Sequence, residues 1–218
     1  IDISISSHAL FDHNGNFAGV EGIYRDVTQR KNLERELQRL ATTDMLTGMA
    51  NRRAFLELAE STFQRACAQG EPLTLLMLDL DHFKAINDRF GHLEGDRVLV
   101  EFARTIKTHL RASDTVGRLG GEEFGLLLPL TTPSEGADVA ARILDAIRAL
   151  ELTDSTGQSY RITTSMGLSA HHPSDRNLRE LLDRADQALY LAKRRGRDQI
   201  AMLGTDDAYD APLPGTPH

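Results

Sequence analysis

Residues 73–84 read LTLLMLDLDHFK. The first eight, Leu73 to Leu80, are almost wholly apolar, which predicts a central β-strand buried on both faces. Asp79 stands at the end of that strand, where a buried and unpaired carboxylate is costly. Strand ends of α/β sheets are where ligands bind, and a carboxylate beside a backbone carbonyl suits a hard cation such as Mg2+. The alternatives are structural: Asp81 would cap the next helix and Lys84 would be solvated.

The segments around this strand predict an α/β domain over residues 44–203. Apolar residues at helical spacing indicate helices over 52–69, 83–90, 96–111, 134–150 and 177–195. Strands are predicted over 115–119, 122–128, 160–170 and 199–203, the second and third of the five strands forming a hairpin at Gly120-Gly121. Helices mixed with an antiparallel hairpin favour a layered sheet of the split βαβ type.

The ends of the chain differ from this domain. Residues 1–27 predict two strands, which cannot bury a core alone. Residues 28–43 predict a helix, with Leu33, Leu37 and Leu40 spaced as in a coiled-coil seam. That helix would either form a parallel dimer or pack on its own domain. The tail over 204–218 is expected to be disordered.

Composition excludes several classes of protein. The 218 residues carry 25 Lys+Arg and 32 Asp+Glu, a net charge of −7, which argues against a dedicated nucleic-acid binder. The single cysteine, Cys67, can form neither an intrachain disulfide nor a cysteine-based zinc site, so a reducing compartment is expected. No apolar run approaches the roughly 20 residues that span a bilayer. Because the chain begins with Ile1, we expect a piece of a longer protein, whose missing part could hold a sensor or a membrane anchor.

Three further clusters could carry chemistry. Gly120-Gly121-Glu122-Glu123 places two adjacent acids at a hairpin tip, which makes sense if a cation neutralises one of them; a plain surface hairpin is the alternative. An amide and a carboxylate, Asn87 and Asp96, match a guanine edge, although Asp96 would also serve as a helix N-cap. The basic run 193–197 suits a triphosphate, or merely ends a helix.

Together and in this order, these clusters resemble the GGDEF family of diguanylate cyclases, here with the GGEEF variant of the signature. The motifs that carry the resemblance are DxLTGxxNRR (44–53), DxDxFKxxND (79–88), GHxxGD (91–96), GGEEF (120–124) and AKxxGR (192–197). One departure is Met49-Ala50, where the family usually has Leu and often Pro. The fold implied is the nucleotidyl-cyclase, ferredoxin-like βααββαβ sheet with surrounding helices, an α+β sandwich entered through an N-terminal helical linker.

The resemblance also implies an activity and the residues that carry it. Two protomers, each with one bound GTP, would form cyclic di-GMP and two pyrophosphates. By position, Asp79, Glu122 and the Leu80 carbonyl would hold Mg2+, with Mn2+ as a substitute, and Glu123 would help deprotonate the 3′-hydroxyl or hold a second metal. Base and phosphate contacts would come from the following residues: Asn87 and Asp96 for guanine, and the backbone of His82 and Phe83 with Lys84, Lys193 and Arg197 for the phosphates.

Two regulatory features are implied as well. Arg111 and Asp114 form an Arg-x-x-Asp pattern five residues before Gly120, the place of the family's inhibitory product site. Residues 1–27 look like the last strands of a PAS sensor, and the helix over 28–43 like a signalling linker of a cytoplasmic homodimer. Two other hypotheses stay open: a catalytically silent cyclic di-GMP receptor, and a cyclase that makes another cyclic dinucleotide, which Asp96 disfavours.

Overall fold

The computed structural model describes residues 1–154 and 156–203. It contains two compact units, Ile1–Thr42 and a second that begins at Thr43. The tail predicted to be disordered, 204–218, lies outside the described residues. No helix within the described ranges combines the length and the apolar character needed to cross a membrane.

The first unit is a β-hairpin followed by a helix. Strands β1 (Ile3–Phe11) and β2 (Phe17–Asp26) pair antiparallel, and helix α1 covers Thr28–Thr42. The turn between the strands is closed by the Asp12 carboxylate, which accepts the N–H groups of Asn14 and Asn16 at 2.8 Å each. No residue of α1 is buried, and its three seam leucines, Leu33, Leu37 and Leu40, are 50–61% exposed.

The second unit contains one main sheet. In chain order its elements are β3 (Ala50–Asn51), α2 (Arg52–Gln69), β4 (Leu73–Leu80), α3 (Phe83–Phe90), α4 (His92–Thr108), β5 (Thr115–Gly120), β6 (Glu123–Pro129), α5 (Pro133–Arg148), β7 (Glu151–Thr153), β8 (Ser159–Arg161), β9 (Thr164–Ala170), α6 (Leu178–Arg194) and β10 (Ile200–Met202). The six-stranded sheet has the order β10-β9-β4-β6-β5-β3, and β7 and β8 form a separate hairpin. The expected mixed α/β fold, with a central sheet and surrounding helices, is confirmed.

The central strand β4 is antiparallel to both neighbours and divides the core into two layers. Its even-numbered leucines, Leu76, Leu78 and Leu80, pack in one cluster with α3, α4 and α5. Leu73 and Leu75 pack in a second cluster with α2 and α6. Because side chains alternate along a strand, Asp79 lies on the α2/α6 face.

Helix α6 lies directly against the sheet at Gly167. A Cβ at this glycine would stand 2.1 Å from the Ala185 carbonyl oxygen and from the Leu189 nitrogen, so any side chain would push the helix away. This close approach brings the last turn of α6, which carries Lys193, to the end of β4.

Three local predictions are wrong. Helix α4 begins at His92 rather than Asp96, because Gly91, at φ 88°, turns the chain from α3 into α4 within one residue. Asp96 therefore lies inside the helix and is not its N-cap. The strand predicted over 160–170 is two strands, since β8 pairs with β7 whereas β9 enters the main sheet.

Candidate functional site

Asp79 is the second-last residue of β4, and it is buried. Its side chain is paired with Lys193, whose Nζ lies 2.8 Å from Oδ2, and the Thr164 hydroxyl donates to its carbonyl oxygen at 2.8 Å. Burial raises the pKa of the Asp79 carboxyl above its ordinary value. Lys193 opposes that rise, whereas the carboxylates of Glu122 and Glu123 add to it.

The two glutamates reach Asp79 through the β5–β6 hairpin. Gly120 and Gly121 have φ values of 156° and 49°, a path that suits residues without Cβ atoms. Glu123 then stands opposite Asp79 in the ladder between β4 and β6, so both side chains project from one face. The Leu80 N–H donates to the Glu122 carbonyl oxygen at 3.3 Å. Glu122 and Glu123 therefore lie near Asp79, although they are 43 and 44 positions away from it in the chain.

This donor set fits a hard divalent cation. The carboxylates of Asp79, Glu122 and Glu123 and the Leu80 carbonyl offer oxygen atoms, which hard cations prefer as ligands. The Lys193 ammonium, 2.8 Å from Asp79 Oδ2, shows that this place accommodates a positive charge. Among the residues that the structure describes, no group of three or more His, Cys, Asp or Glu side chains is already arranged around one point as a metal cage. Mg2+ is usually held by one or two carboxylates together with substrate phosphates, so Asp79, Glu122 and the Leu80 carbonyl are candidates to hold it beside a bound nucleotide.

The turn after β4 presents backbone N–H groups. His82 adopts a left-handed conformation at φ 58°, and α3 begins at the next residue, Phe83, without a side-chain cap. The first N–H groups of a helix suit anions because they lack partners within it. Lys84 is exposed on the first turn of this helix. The prediction that Asp81 caps α3 is wrong, because its carboxylate binds Thr163, Ser165 and the Asp198 N–H instead.

Asn87 and Asp96 lie on adjacent helices beside Gly95. A Cβ built on Gly95 would stand 1.9 Å from Asn87 Oδ1, so the amide occupies the space that the glycine leaves free. Helices α3 and α4 are joined by Gly91 alone, which keeps their facing sides close. The Asn87 amide thus packs against Gly95 of α4, one residue before Asp96, and a joint guanine site of these two residues stays a prediction.

The basic end of α6 divides into two parts. Lys193 reaches Asp79, and Arg197 lies in the following turn, where its N–H donates to the Ala192 carbonyl oxygen at 3.1 Å and its φ is 64°. The Arg197 side chain is exposed. In the structure Lys193 is therefore the partner of a carboxylate, and Arg197 is available to an anionic ligand.

Arg111 and Asp114 form a turn of their own. The Asp114 carboxylate accepts the Arg111 N–H at 2.9 Å, and the Asp114 N–H donates to the Arg111 carbonyl oxygen at 3.1 Å. Strand β5 runs from Thr115 to Gly120, so at some 3.3 Å per residue the turn, which ends at Asp114, lies about 20 Å from the glycines. The Arg-x-x-Asp pattern is thus away from the carboxylate cluster, on the far end of the same strand.

Sequence reasoning missed the residues that support these groups. Arg118 donates from Nε to the Gly121 carbonyl oxygen at 2.9 Å and from Nη1 to the Asp44 carboxylate at 3.2 Å, which braces the hairpin tip. Its position two residues before Gly120 is the signal that the sequence offered. Nothing in the sequence marks Thr164, whose hydroxyl holds the Asp79 carbonyl.

Comparisons with known proteins bear on the family of this chain. Residues 41–199 match the family model "Diguanylate cyclase, GGDEF domain". The diguanylate cyclase DgcM of Escherichia coli is 40% identical over 178 residues, which is 82% of this chain and 42% of that protein. DgcP of Pseudomonas aeruginosa is 44% identical over 160 residues, 73% of this chain and 24% of that protein. The chain thus spans less than half the length of these relatives.

A solved structure of the coiled coil and GGDEF domain of DgcB from Caulobacter crescentus, in complex with c-di-GMP, superposes with a TM-score of 0.78. It is 32% identical, and the match covers 81% of this chain and 93% of that one.

Proposed function

The chain belongs to the GGDEF family of diguanylate cyclase domains, and from that premise we propose that it condenses two GTP molecules into cyclic di-GMP and two pyrophosphates. The observation that carries the proposal is the meeting of Asp79, Glu122 and Glu123 at one end of the sheet, beside Lys193. Phosphoryl transfer needs positioning and charge neutralisation, which such a cluster supplies without covalent catalysis.

Within this site, Asp79, Glu122 and the Leu80 carbonyl would hold a divalent ion, Mg2+ or Mn2+. The ion supplies charge neutralisation at the reacting phosphate and lowers the pKa of an oxygen bound to it. Glu123 lies opposite Asp79 in the β4–β6 ladder. It would accept the proton of the ribose 3′-hydroxyl, which is a poor nucleophile at neutral pH, or bind a second ion.

Recognition of GTP would divide between two groups of residues. Asn87 and Asp96 offer an amide and a carboxylate from facing helices, and a carboxylate can accept from both the ring N–H and the exocyclic amine of guanine. The triphosphate would lie on the N–H groups at His82 and Phe83, with Lys84, Lys193 and Arg197 as its cationic partners. On metal and nucleotide binding, Lys193 would exchange its partner, the Asp79 carboxylate, for a phosphate.

Because one such site holds one GTP, the reaction needs two protomers that face each other. Helix α1 supports a parallel dimer: Leu33, Leu37 and Leu40 are exposed on it, and none of its residues is buried. We propose that residues 28–43 are a coiled-coil signalling helix and that residues 1–27 are the final strands of a PAS-type sensor. The exposed apolar residues of this hairpin suit strands that belong to a larger sheet.

We further propose that Arg111 and Asp114 bind the product as an inhibitor. The turn is exposed at Arg111, and a guanidinium can both hydrogen-bond and stack on guanine. We propose a cytoplasmic location for this part of the protein, because the substrate and the proposed product are intracellular nucleotides. Because the Arg111–Asp114 turn is far from the carboxylate cluster, substitutions in the turn should change inhibition without changing catalysis.

Incubation of the chain with GTP and Mg2+ tests the proposal, with products resolved by chromatography. We expect cyclic di-GMP and pyrophosphate in a 1:2 ratio, a rate per protomer that rises with protein concentration, and loss of the product in Asp79→Ala and Glu122→Ala. Glu57→Ala, on the exposed side of α2, is the matched control and should keep full activity. GTP binding without turnover, in a sample shown to be dimeric, would favour the silent receptor instead.

A further inference from the structure

The Asp81 carboxylate is buried and hydrogen-bonded to other groups of the protein. Only 4% of the residue is exposed. Its Oδ1 accepts the Ser165 hydroxyl at 2.7 Å, and its Oδ2 accepts the Thr163 hydroxyl at 2.9 Å and the Asp198 N–H at 3.0 Å. These three donors leave the carboxylate firmly oriented, and the last of them joins the end of β4 to the loop that follows α6.

That loop has an unusual backbone. Arg197 and Asp198 are consecutive non-glycine residues with φ values of 64° and 47°. Such left-handed conformations persist when the surroundings hold them in place. Here Asp198 is held from two sides: Asp81 takes its N–H, while Arg148 donates to its carboxylate at 2.9 Å and to its carbonyl oxygen at 2.6 Å.

From these contacts we propose that Asp81 is a positioning residue that locks residues 196–198 and thereby sets the place of Arg197 beside the triphosphate. The proposal deepens the assignment of Arg197 and rests on the proposed function. It gives the two aspartates of the DxD stretch different tasks. Asp79 faces the cation, whereas Asp81 acts through Arg197 and is not a ligand of metal or nucleotide.

Two substitutions at Asp81 separate positioning from charge. In Asp81→Asn the amide oxygen can still accept the Asp198 N–H and the Thr163 hydroxyl, while its NH2 group donates to the Ser165 hydroxyl, which accepts as well as donates. In Asp81→Ala all three donors lose their acceptor. Thr163→Val removes one hydrogen bond to the carboxylate and serves as a milder variant if Asp81→Ala folds poorly.

Steady-state kinetics give the first readout. We expect Asp81→Ala to raise the KM for GTP about ten-fold, the effect of one lost charge-assisted phosphate contact, whereas kcat changes less. Thr163→Val should raise it by a smaller factor, and Asp81→Asn should stay near the wild type with the same Mg2+ dependence. A shifted Mg2+ requirement in Asp81→Asn would instead identify Asp81 as a metal ligand and overturn the proposal.

A double-mutant cycle with Arg197 provides the second readout. If Asp81 acts through Arg197, then Asp81→Ala should have little further effect on the KM for GTP in an Arg197→Ala background. A merely structural role would give additive losses and would contradict the proposal. The Asp183→Ala variant, on the exposed side of α6, should leave the KM unchanged.

Hydrogen exchange tests the lock without any turnover. The Asp198 N–H is bonded to Asp81, so Asp81→Ala should speed the exchange of residues 196–199 while the rest of α6 keeps its protection. Unchanged exchange there would sink the idea, even in an active enzyme. Conversely, faster exchange in a chain that proves inactive would reject the proposed function and keep the lock.

Discussion

Gly95→Ala should weaken guanine recognition while leaving the fold intact. The new Cβ would stand 1.9 Å from Asn87 Oδ1 and 2.9 Å from its Cγ, distances at which the amide must move. The Phe83 ring is next, at 3.3 Å, and needs to shift only by a few tenths of an ångström. Because the displaced group is the far end of a flexible side chain, the backbone of α4 can stay where it is.

Gly95→Ala has two opposing effects on the free energy of unfolding, but only an unfavourable effect on GTP binding. Alanine is favoured over glycine inside a helix by about 1 kcal/mol, and an off-rotamer Asn87 costs about 1 kcal/mol, so the melting temperature should stay close to that of the wild type. Guanine loses one amide contact, worth about 1–3 kcal/mol for a paired set of hydrogen bonds. That corresponds to a fall of roughly 5- to 150-fold in GTP affinity, at 1.4 kcal/mol per factor of ten.

The assay is GTP binding by calorimetry together with thermal unfolding. Asn87→Ala should match Gly95→Ala in affinity, and the double variant should lose little more, because both changes remove the same contact. Arg104→Ala, on the exposed side of α4, is the control and should bind GTP normally. Wild-type affinity in Gly95→Ala would refute the assignment of Asn87 to guanine, and a collapse of the melting temperature would refute the argument that only the amide moves.

Three other outcomes are expected. Without metal, Asp79→Asn should be more stable than the wild type at neutral pH: burial raises the pKa of Asp79 in the folded state, so its carboxylate opposes folding there. Denaturant titrations should show this advantage shrinking as the pH falls through the raised pKa, and a constant difference would contradict it. Arg184→Met should cost about 3–5 kcal/mol in unfolding free energy, because it removes the guanidinium whose Nη1 lies 2.6 Å from the buried Asp175 carboxylate and leaves that carboxylate with the His171 ring and the His172 N–H. Burial alone would raise the pKa of Asp175, but hydrogen bonds led by Arg184 lower it overall, so wild-type stability from this pair is present at neutral pH and lost as the pH falls through the lowered pKa. Arg111→Ala should let cyclic di-GMP accumulate to higher levels in progress curves, and an unchanged early plateau would remove the inhibitory assignment.

The sequence predicted the elements whose pattern is repeated over many residues. The bounds of α2, β4 and α3 agree with the structure to the residue, since each has a continuous apolar face or run and a clear start or stop. Short elements carry no such pattern: β3 has two residues and β7 has three, and β3 pairs with β5, which is distant in the chain. The start of α4 was misplaced because Asp96 is a good N-cap residue in general, whereas here a glycine makes the turn.

The candidate site divides in the same way. Motif spacing singled out Asp79, Glu122 and Asn87; the structure places Glu123, the neighbour of Glu122, opposite Asp79 and packs the Asn87 amide against Gly95, whereas the roles of these residues stay predictions. The supporting contacts could not be predicted, because they join residues far apart in sequence through side chains with many ordinary roles. The hydrogen bond from the Asp198 N–H to Asp81 joins residues 117 positions apart, and neither residue type indicates the other as its partner.

The most direct test of the carboxylate cluster is a titration with Mn2+ followed by electron paramagnetic resonance, in the presence of a non-hydrolysable GTP analogue. The account predicts that each nucleotide-loaded wild-type protomer binds Mn2+, and that Asp79→Asn and Glu122→Gln weaken this binding by at least ten-fold, about 1.4 kcal/mol, while Glu57→Gln does not. Equal Mn2+ affinity in the wild type and in both site variants would contradict it.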